Sequence, residues 1–568
     1  VEALAVSGGP FDYPHRVDIV VSPDGAGVSM ARLDRAGRPG SAVNLTVGGF
    51  VDKVREVEQQ DPRWVWADTS TVYPRLLRAG VTVARAVDLR LCRAVLARST
   101  YVPGGFAGAD DPRWGAGDAE PGEAEPSLLD LPVEGASLDV AELAAEHGRQ
   151  QAAVAASGRA DRLRLLLAAE SAGALVAAEL SATGLPFDES THDALLRAVL
   201  GPQPLPGGRP AVLESLVARI RTDLSAPTLN PDSAPELLRA LRSQGLSVQT
   251  TRKGELSRLD HPVIEPLLEY KRLARLFNAN GWAWMRSWVR EGRFRPDYVP
   301  SGVVTGRWAT RGGGALQLPK QIRGAVVASP GWELVVADAA QLEPRVLAAM
   351  ARDEAMARAS RAGDLYQALV DQGVVDTRAH AKLAMLGALY GATSGEAGRL
   401  MPRLLRSYSA ATGLVEAAAR AGERGEAVTT WLGRSSPPPP ESWWERQRWA
   451  GSSEALPADQ QLARAQAREW GRFTRNFVVQ GTAAEWALCW LADLRRRLVT
   501  LAAPADRRPR LVYFLHDEVI VETPTELSDQ VEDAVRAAAH RAGQLLFGSF
   551  PVEFVLDVSR VATYADAS

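Results

Sequence analysis

Cysteine is scarce in this chain, and long apolar runs are missing. Two cysteines, Cys92 and Cys489, in 568 residues offer neither a disulfide framework nor a thiolate metal cluster, and they fit a reducing cytosol. No stretch reaches the roughly 18 consecutive apolar residues of a membrane span. The first residues show no basic region followed by an apolar core. The expectation is therefore an intracellular protein with no membrane partner. Strong net charge is also absent: 65 Lys and Arg against 68 Asp and Glu leave −3. No internal repeat is found. An apolar fraction of 46% and a charged fraction of 23% are ordinary for globular proteins. At about 100–200 residues per domain the length predicts three or four units with ample core.

The small net charge hides an asymmetry. Between Lys271 and Pro330 eleven Lys or Arg face only Glu291 and Asp297, a local balance of +9, with Trp282, Trp284, Trp288 and Trp308 interleaved. Phosphate backbones are bound by such stretches, because each neutralised phosphate releases counterions. A solvated helix face beside core tryptophans is the competing reading. Between Ala109 and Glu134 eight acids accompany the single Arg113 among Gly and Pro, the composition of a loop or linker.

Residues 1–103 alternate short apolar runs with turns: strands at Val17–Val21, Val28–Leu33 and Trp64–Trp66, helices at Thr71–Arg78 and Leu89–Ala97. This predicts a small α/β domain, followed by an acidic linker over 104–145 and a mainly helical region over 146–300. A long helix is expected at Leu163–Leu180, and another at Ala234–Leu241 after Asn230-Pro-Asp. From Gly331 onward the expected order is strand Leu334–Ala337, helices Leu342–Ala351 and Arg378–Leu389, strands Leu511–Leu515 and Val519–Glu522, then helix Ser528–Phe547. Pro437–Pro440 with Trp443, Trp444 and Trp449 reads as a loop inserted between helices.

Two short stretches carry the chemistry. Val335-Val-Ala-Asp338 is an apolar strand ending in an acid, and Leu511–Glu522 sets His516-Asp517-Glu518 between two apolar strands, as at a hairpin tip. A lone acid at a strand end is commonly a helix cap. A His-Asp-Glu turn inside an apolar hairpin is harder to explain that way. Between them Arg378, Lys382, Leu386 and Tyr390 recur every four residues and share a helix face. Two carboxylates delivered from rigid strands, with cations for a triphosphate, are what two-metal phosphoryl transfer requires.

These segments resemble the motifs of family A DNA polymerases. Asp338…Gln341-x-Glu343-x-Arg345 is similar to motif A, Arg378-x3-Lys382-x7-Tyr390-Gly391 to motif B, and His516-Asp517-Glu518 to motif C. Flanking segments agree in order: Thr305-Gly306-Arg307 with Leu316-Gln317-x-Pro319, Gly425-x2-Val428-x-Thr430-x2-Gly433-Arg434, and Arg472-x3-Asn476-x3-Gln480. The resemblance spans about 160–568. It implies a multidomain α/β and α+β chain, a right hand of palm, fingers and thumb preceded by a small RNase H-like exonuclease-type domain. The connection and thumb would take 146–300, and palm and fingers 301–568, with the fingers at about 352–480.

The resemblance also implies roles. Asp338, Asp517 and the backbone carbonyl of Ala339 would bind two Mg²⁺ ions, for which Mn²⁺ can substitute, with Glu518 in support. Arg378 and Lys382 would hold the triphosphate, Lys382 protonating the leaving pyrophosphate. Tyr390, Leu386, Gln341 and Tyr366 would line the nucleotide, and Glu343 would exclude a ribose 2′-OH. Arg307 and Gln480 would read minor-groove acceptors, and Thr305, Gln317, Arg345, Arg472, Asn476 and His516 would contact DNA. Primer–template DNA and dNTPs are the implied partners of a monomer in the cytoplasm, at the nucleoid.

Departures from the family pattern affect selectivity. Ala339-Ala340 stands where Tyr-Ser is usual, Pro344 replaces an aliphatic residue, Met385-Leu386 replaces Asn-Phe, and Asp364-Leu-Tyr366 replaces Asp-Ile-His. The first unit lacks the exonuclease carboxylates: the strand after Asp18 has no second acid, Pro74 stands where an Asp belongs, and Ser157 replaces the Tyr before Asp161. It is expected to be inactive, an active nuclease with shifted ligands being the alternative, and no flap-nuclease domain is expected ahead of it. A phage-type RNA polymerase is disfavoured by Glu343. A primer–template scaffold without catalysis is disfavoured by retention of both Asp338 and Asp517.

Overall fold

The computed structural model describes residues 17–24, 27–114, 138–311, 318–361, 363–391 and 395–567. The expected DNA contact Gln317 and most of the acidic segment lie outside them.

The first unit is a five-stranded sheet of β1 (Asp18–Asp24), β2 (Gly27–Arg32), β3 (Val43–Thr46), β4 (Arg63–Trp66) and β5 (Ala86–Asp88), in the order β3-β2-β1-β4-β5. The first three strands pair antiparallel, and β4 and β5 add in parallel. Alternation along the strands sends Ile19, Val21, Trp64 and Trp66 to one face and Val20 and Val65 to the other. Helices α1 (Val47–Glu58) and α2 (Thr69–Arg78) cover the first face. The second is covered by α4 (Val140–Ala156), which follows α3 (Leu89–Arg98) and begins at a capping box of Asp139 with Glu142. The boundary expected at 145 therefore needs correction: Val140, Leu143 and Ala144 are core of the first unit, and the helix that carries them continues to Ala156.

Helix α5 (Ala160–Thr183) follows. It is long and apolar enough to cross a membrane, but Leu163, Leu166, Val176 and Leu180 pack into the largest core. Its apolarity reflects burial on nearly every side. The helical region after it surrounds Leu213, Ile220, Leu237 and Leu267. There Trp282, Trp284 and Trp308 are buried, and Arg272, Arg293, Arg295, Arg307 and Arg311 pair with acids. The tryptophans are thus core residues, and at least five of the eleven cations are locally neutralised.

The second sheet holds β6 (Trp332–Ala339), β7 (Arg510–Leu515), β8 (Glu518–Pro524) and β9 (Leu556–Val561), in the order β7-β8-β6-β9, all antiparallel. Val335, Ala337, Val519 and Val521 face one core, while Leu334, Val336, Val512 and Ile520 face the other. Burial on both faces explains the nearly continuous apolar runs of β6 and β8. The 44-residue helix Pro457–Thr500 crosses the molecule against α5, Ser409–Glu423 and Ser528–Phe547. The expected loop after Pro437 contains a helix instead, Glu441–Ala450, started by Pro440 with its preset φ of −64° and anchored by buried Trp443.

Candidate active site

Asp338 occupies the last turn of pleat of β6, directly opposite Glu518 on β8 and Asp557 on β9. The connection between β7 and β8 is tight: His516 takes a left-handed φ of +55°, and the amide of Ala339 donates to the carbonyl of Asp517 at 2.8 Å. That bond staples the turn to the end of β6 and brings the two aspartates together. Burial, then the charges of Asp517, Glu518 and Asp557, pushes the Asp338 carboxyl up to about 7. Burial raises Asp517 to about 6 against the opposing pull of Arg307. A set of crowded carboxylates that resists its own ionisation is suited to a hard divalent cation. Among the described residues no group of three or more His, Cys, Asp or Glu could hold a metal. Two aspartates alone would leave the remaining coordination positions to backbone and substrate oxygens.

Helix Arg378–Tyr390, capped by Thr377 and ended by left-handed Gly391, reaches the site through its last residue, whose hydroxyl bonds Glu343. Arg378, Lys382 and Tyr390 are exposed along one face with Leu386 half-buried between them. Arg378 Nε donates to Asp364 at 2.6 Å, and its guanidinium lies 5.7 Å from the centre of the Tyr366 ring. Tyr366 is buried beneath that cation and supports it. Gln341, at φ +54°, donates to Asp364 at 2.7 Å and accepts from the Leu365 amide at 2.8 Å. Both ends of its amide brace Asp364 and the start of the helix after it.

Glu343, on the first turn of helix Leu342–Ala351, is gripped from two sides. Arg307 pairs with one oxygen at 2.5 Å and the Tyr390 hydroxyl donates to the other at 2.9 Å. Burial, then the Glu343 charge, raises the Tyr390 phenol to about 12. Gln480 and Asn476 are half-buried and Arg472 exposed on the long helix, and the Thr305 hydroxyl donates to Gln480 Oε1 at 2.9 Å. Burial and then the Arg307 charge lower His516 to about 4, so it is neutral at physiological pH.

Arg345 is a correction. It is fully buried, and its guanidinium donates to the carbonyls of Ala340, Ser360, Glu553 and Gly363. It ties three separate chain segments together and cannot reach DNA. Two residues had no local signal in the sequence. The Tyr564 hydroxyl donates to Glu518 at 2.5 Å, under an Arg323 guanidinium 4.2 Å above its ring, and Asp557 arrives on a strand that the apolar pattern did not announce.

The sequence model of DNA polymerase family A matches residues 233–564. The chain belongs to DNA polymerase family A. Relatives in this family include the thermostable DNA polymerase I of Thermus filiformis, 28% identical over 344 residues, 56% of this chain and 38% of that protein. DNA polymerase I of Chloroflexus aurantiacus is 30% identical over 327 residues, 53% of this chain and 32% of that protein. The chain thus spans well under half the length of these family A relatives. The POL domain of Pol1 from M. smegmatis, solved with DNA primer–template and dNTP, shares the fold at a TM-score of 0.66 and 18% identity. The match covers 97% of this chain and 96% of that one.

Proposed function

We propose that this family A chain is a DNA-dependent DNA polymerase, extending a primer 3′-OH with dNTPs on a DNA template. The observation that carries the reading is the closeness of Asp338 and Asp517 at the end of β6, with Glu343 on the following helix bonded to Tyr390 of the Arg378–Tyr390 helix. Asp338, Asp517 and the Ala339 carbonyl would hold two divalent cations, Mg²⁺ or Mn²⁺, which when bound neutralise charge on the attacking and leaving oxygens. Arg378 and Lys382 bind the triphosphate. The primer 3′-OH gives up its proton to solvent as its oxygen forms a bond to the α-phosphorus, the bond to the bridging oxygen breaks, and pyrophosphate leaves with a proton from Lys382. Tyr390 stacks by the new pair, and Glu343, braced by Tyr390 and Arg307, closes the space a 2′-OH would need. Arg307 and Gln480 donate to minor-groove acceptors that all correct pairs share. The protein works as a monomer on nucleoid DNA.

The first unit is an exonuclease-like domain without a nuclease site. Asp18 is held by Arg63 at 2.5 Å, Asp68 pairs with Arg90 at 2.8 Å, and Asp161 points to solvent beside Arg164. Burial, then the neighbouring Asp68, raises Asp88 to about 6, and its oxygens accept from the Thr69 and Leu91 amides. These acids are occupied by protein cations and amides. Primer extension with dNTPs, with rNTPs and without nucleotide tests both halves: elongation with dNTPs alone supports the reading, and shortening without nucleotide would refute the second half.

A further inference from the structure

A buried charge cluster beneath the primer-terminus readers has no part in the reading above. It lies around the hairpin 429–436. Thr429 and Ser435 bridge, the Thr430 amide donates to Arg434 O at 2.8 Å, and the Ser436 amide to Val428 O at 2.9 Å. The long helix holds one side: the Trp431 amide donates to Thr482 Oγ1 at 3.0 Å and the Leu432 amide to Glu485 at 2.9 Å. The first unit holds the other. Ser99 Oγ donates to the Gly433 carbonyl at 2.6 Å, the Thr100 amide to Ser435 Oγ at 3.0 Å, and the Thr100 and Thr429 hydroxyls are 2.7 Å apart. The Tyr101 ring lies so close to Gly433 that a Cβ there would meet it at 2.8 Å.

Arg434 projects from this hairpin into the interior. Its guanidinium pairs with Glu170 of α5, and both side chains are buried. It also lies flat against Gly306, where a Cβ would stand 2.6 Å from Nε. Gly306, at φ +86°, sits between the two residues that matter most to the readers. Thr305 donates to Gln480 Oε1, which fixes the amide so that its NH₂ is the group left to offer a groove acceptor. Arg307 is the other reader. Arg434 is thus the floor under the loop that aims both donors.

The cluster is electrostatically demanding. Two buried carboxylates, Glu170 and Glu485, face one guanidinium. Burial raises both: Glu170 against the pull of Arg434, and Glu485 to about 7 against its bonds from Thr430 and the Leu432 amide and the charge of Arg434. Buried ion pairs of this kind add little net stability over apolar packing, and what they supply is a defined position.

We propose that Arg434 is a positioning residue for reading the primer-terminal base pair, and that Ser99–Tyr101 of the exonuclease-like unit brace the hairpin carrying it. The inference rests on the polymerase reading. It gives the first unit a part in selectivity that needs no nuclease activity, through a contact between residues 334 positions apart.

The test uses the full chain and primers ending in guanine or in 3-deazaguanine, which lacks the N3 acceptor, together with matched and mismatched termini. Wild type should extend the 3-deazaguanine end about tenfold less efficiently, the order expected for one reading hydrogen bond. In Arg434→Lys that penalty should shrink to about twofold or less, and the mismatched-to-matched kcat/KM ratio should rise about three- to tenfold. The Ser99→Ala/Thr100→Ala double variant should shift both readouts in the same direction by less. An equal fall on matched and mismatched ends, with the 3-deazaguanine penalty intact, would overturn the role of Arg434. Should Arg434→Lys lack a cooperative melting transition, the double variant decides: unchanged readouts in that folded protein overturn the proposal. A wild type that extends normal primers without a 3-deazaguanine penalty overturns the inference alone. One that extends no primer refutes the polymerase reading and this inference with it.

Discussion

The hydroxyl of Tyr390 donates to the carboxylate of Glu343 at 2.9 Å, joining the end of the fingers helix to the start of the palm helix. The other carboxylate oxygen is taken by Arg307, so the gate proposed for the sugar edge is itself held in place. Glu343→Ala should relax sugar choice by removing the wall, and Tyr390→Phe should do so less, by loosening it. Leu386 leaves the facing wall thinner than an aromatic would. Leu386→Phe should sharpen ribonucleotide exclusion by about 1 kcal/mol, a few-fold to tenfold in kcat/KM. The measurement is kcat/KM for dCTP and CTP in each protein, and an unchanged ratio in Glu343→Ala would put the gate elsewhere.

Asp338→Ala and Asp517→Ala should each abolish extension while primer–template affinity stays near wild type. Charge neutralisation at the reacting phosphate is the main catalytic contribution of such a site. Near wild-type extension by either variant in a rapid-quench assay would refute the assignment.

Arg378→Ala should raise the KM for dNTP as well as lower kcat, because it also frees Asp364, now 2.6 Å away, to repel the triphosphate. Lys382 makes no ion pair among the described residues. Lys382→Ala should therefore act mainly on kcat, where the leaving group gains charge. A pure KM effect at Lys382 would count against its role as acid.

The raised carboxyls predict a pH-dependent response to metal. With folded values of about 7 for Asp338 and about 6 for Asp517 against 3.8 unfolded, the folded state binds more protons than the unfolded one. Their contribution to stability is complete below about pH 4 and is lost as pH rises through about 6–7. Metal-free protein should gain more in Tm from added Mg²⁺ at pH 8 than at pH 5. Asp338→Asn should raise the metal-free Tm at pH 8 and weaken the Mg²⁺ response. Equal Mg²⁺ shifts at both pH values in wild type would show that the cation binds elsewhere.

The first unit should not shorten a mismatched primer with Mg²⁺ or Mn²⁺, since Asp18 and Asp68 are paired with Arg63 and Arg90. Degradation that persists in Asp338→Ala would reveal a nuclease site in this unit.

Short-range pattern made much of the palm and fingers readable in advance. Helices Leu342–Ala351 and Ser528–Phe547 have the ends expected of them, and Arg378, Lys382 and Tyr390 share an exposed face. Each of these follows from a helical period of 3.6, which neighbouring residues set among themselves. The inserted helix Glu441–Ala450 was missed because its proline run and clustered tryptophans lack a helical stripe, and its anchor is the burial of Trp443.

By itself the sequence determined which residues carry charge to the site: the acids at a strand end and in a hairpin turn, and the cations one helical turn apart. Only the tertiary structure decided what those residues meet. Arg345 stands in a DNA-contact motif, yet its helix is buried on every side and four carbonyls claim its guanidinium. Gln341 and Tyr366 turn inward to support Asp364 and Arg378, and Asp557 and Tyr564 reach Asp338 and Glu518 from the far end of the chain. The physical reason is that a side chain's direction comes from local backbone geometry, whereas its partner comes from chain closure over tens to hundreds of residues. Closure puts carbonyls, carboxylates and cations within hydrogen-bonding distance where no spacing in the sequence records it.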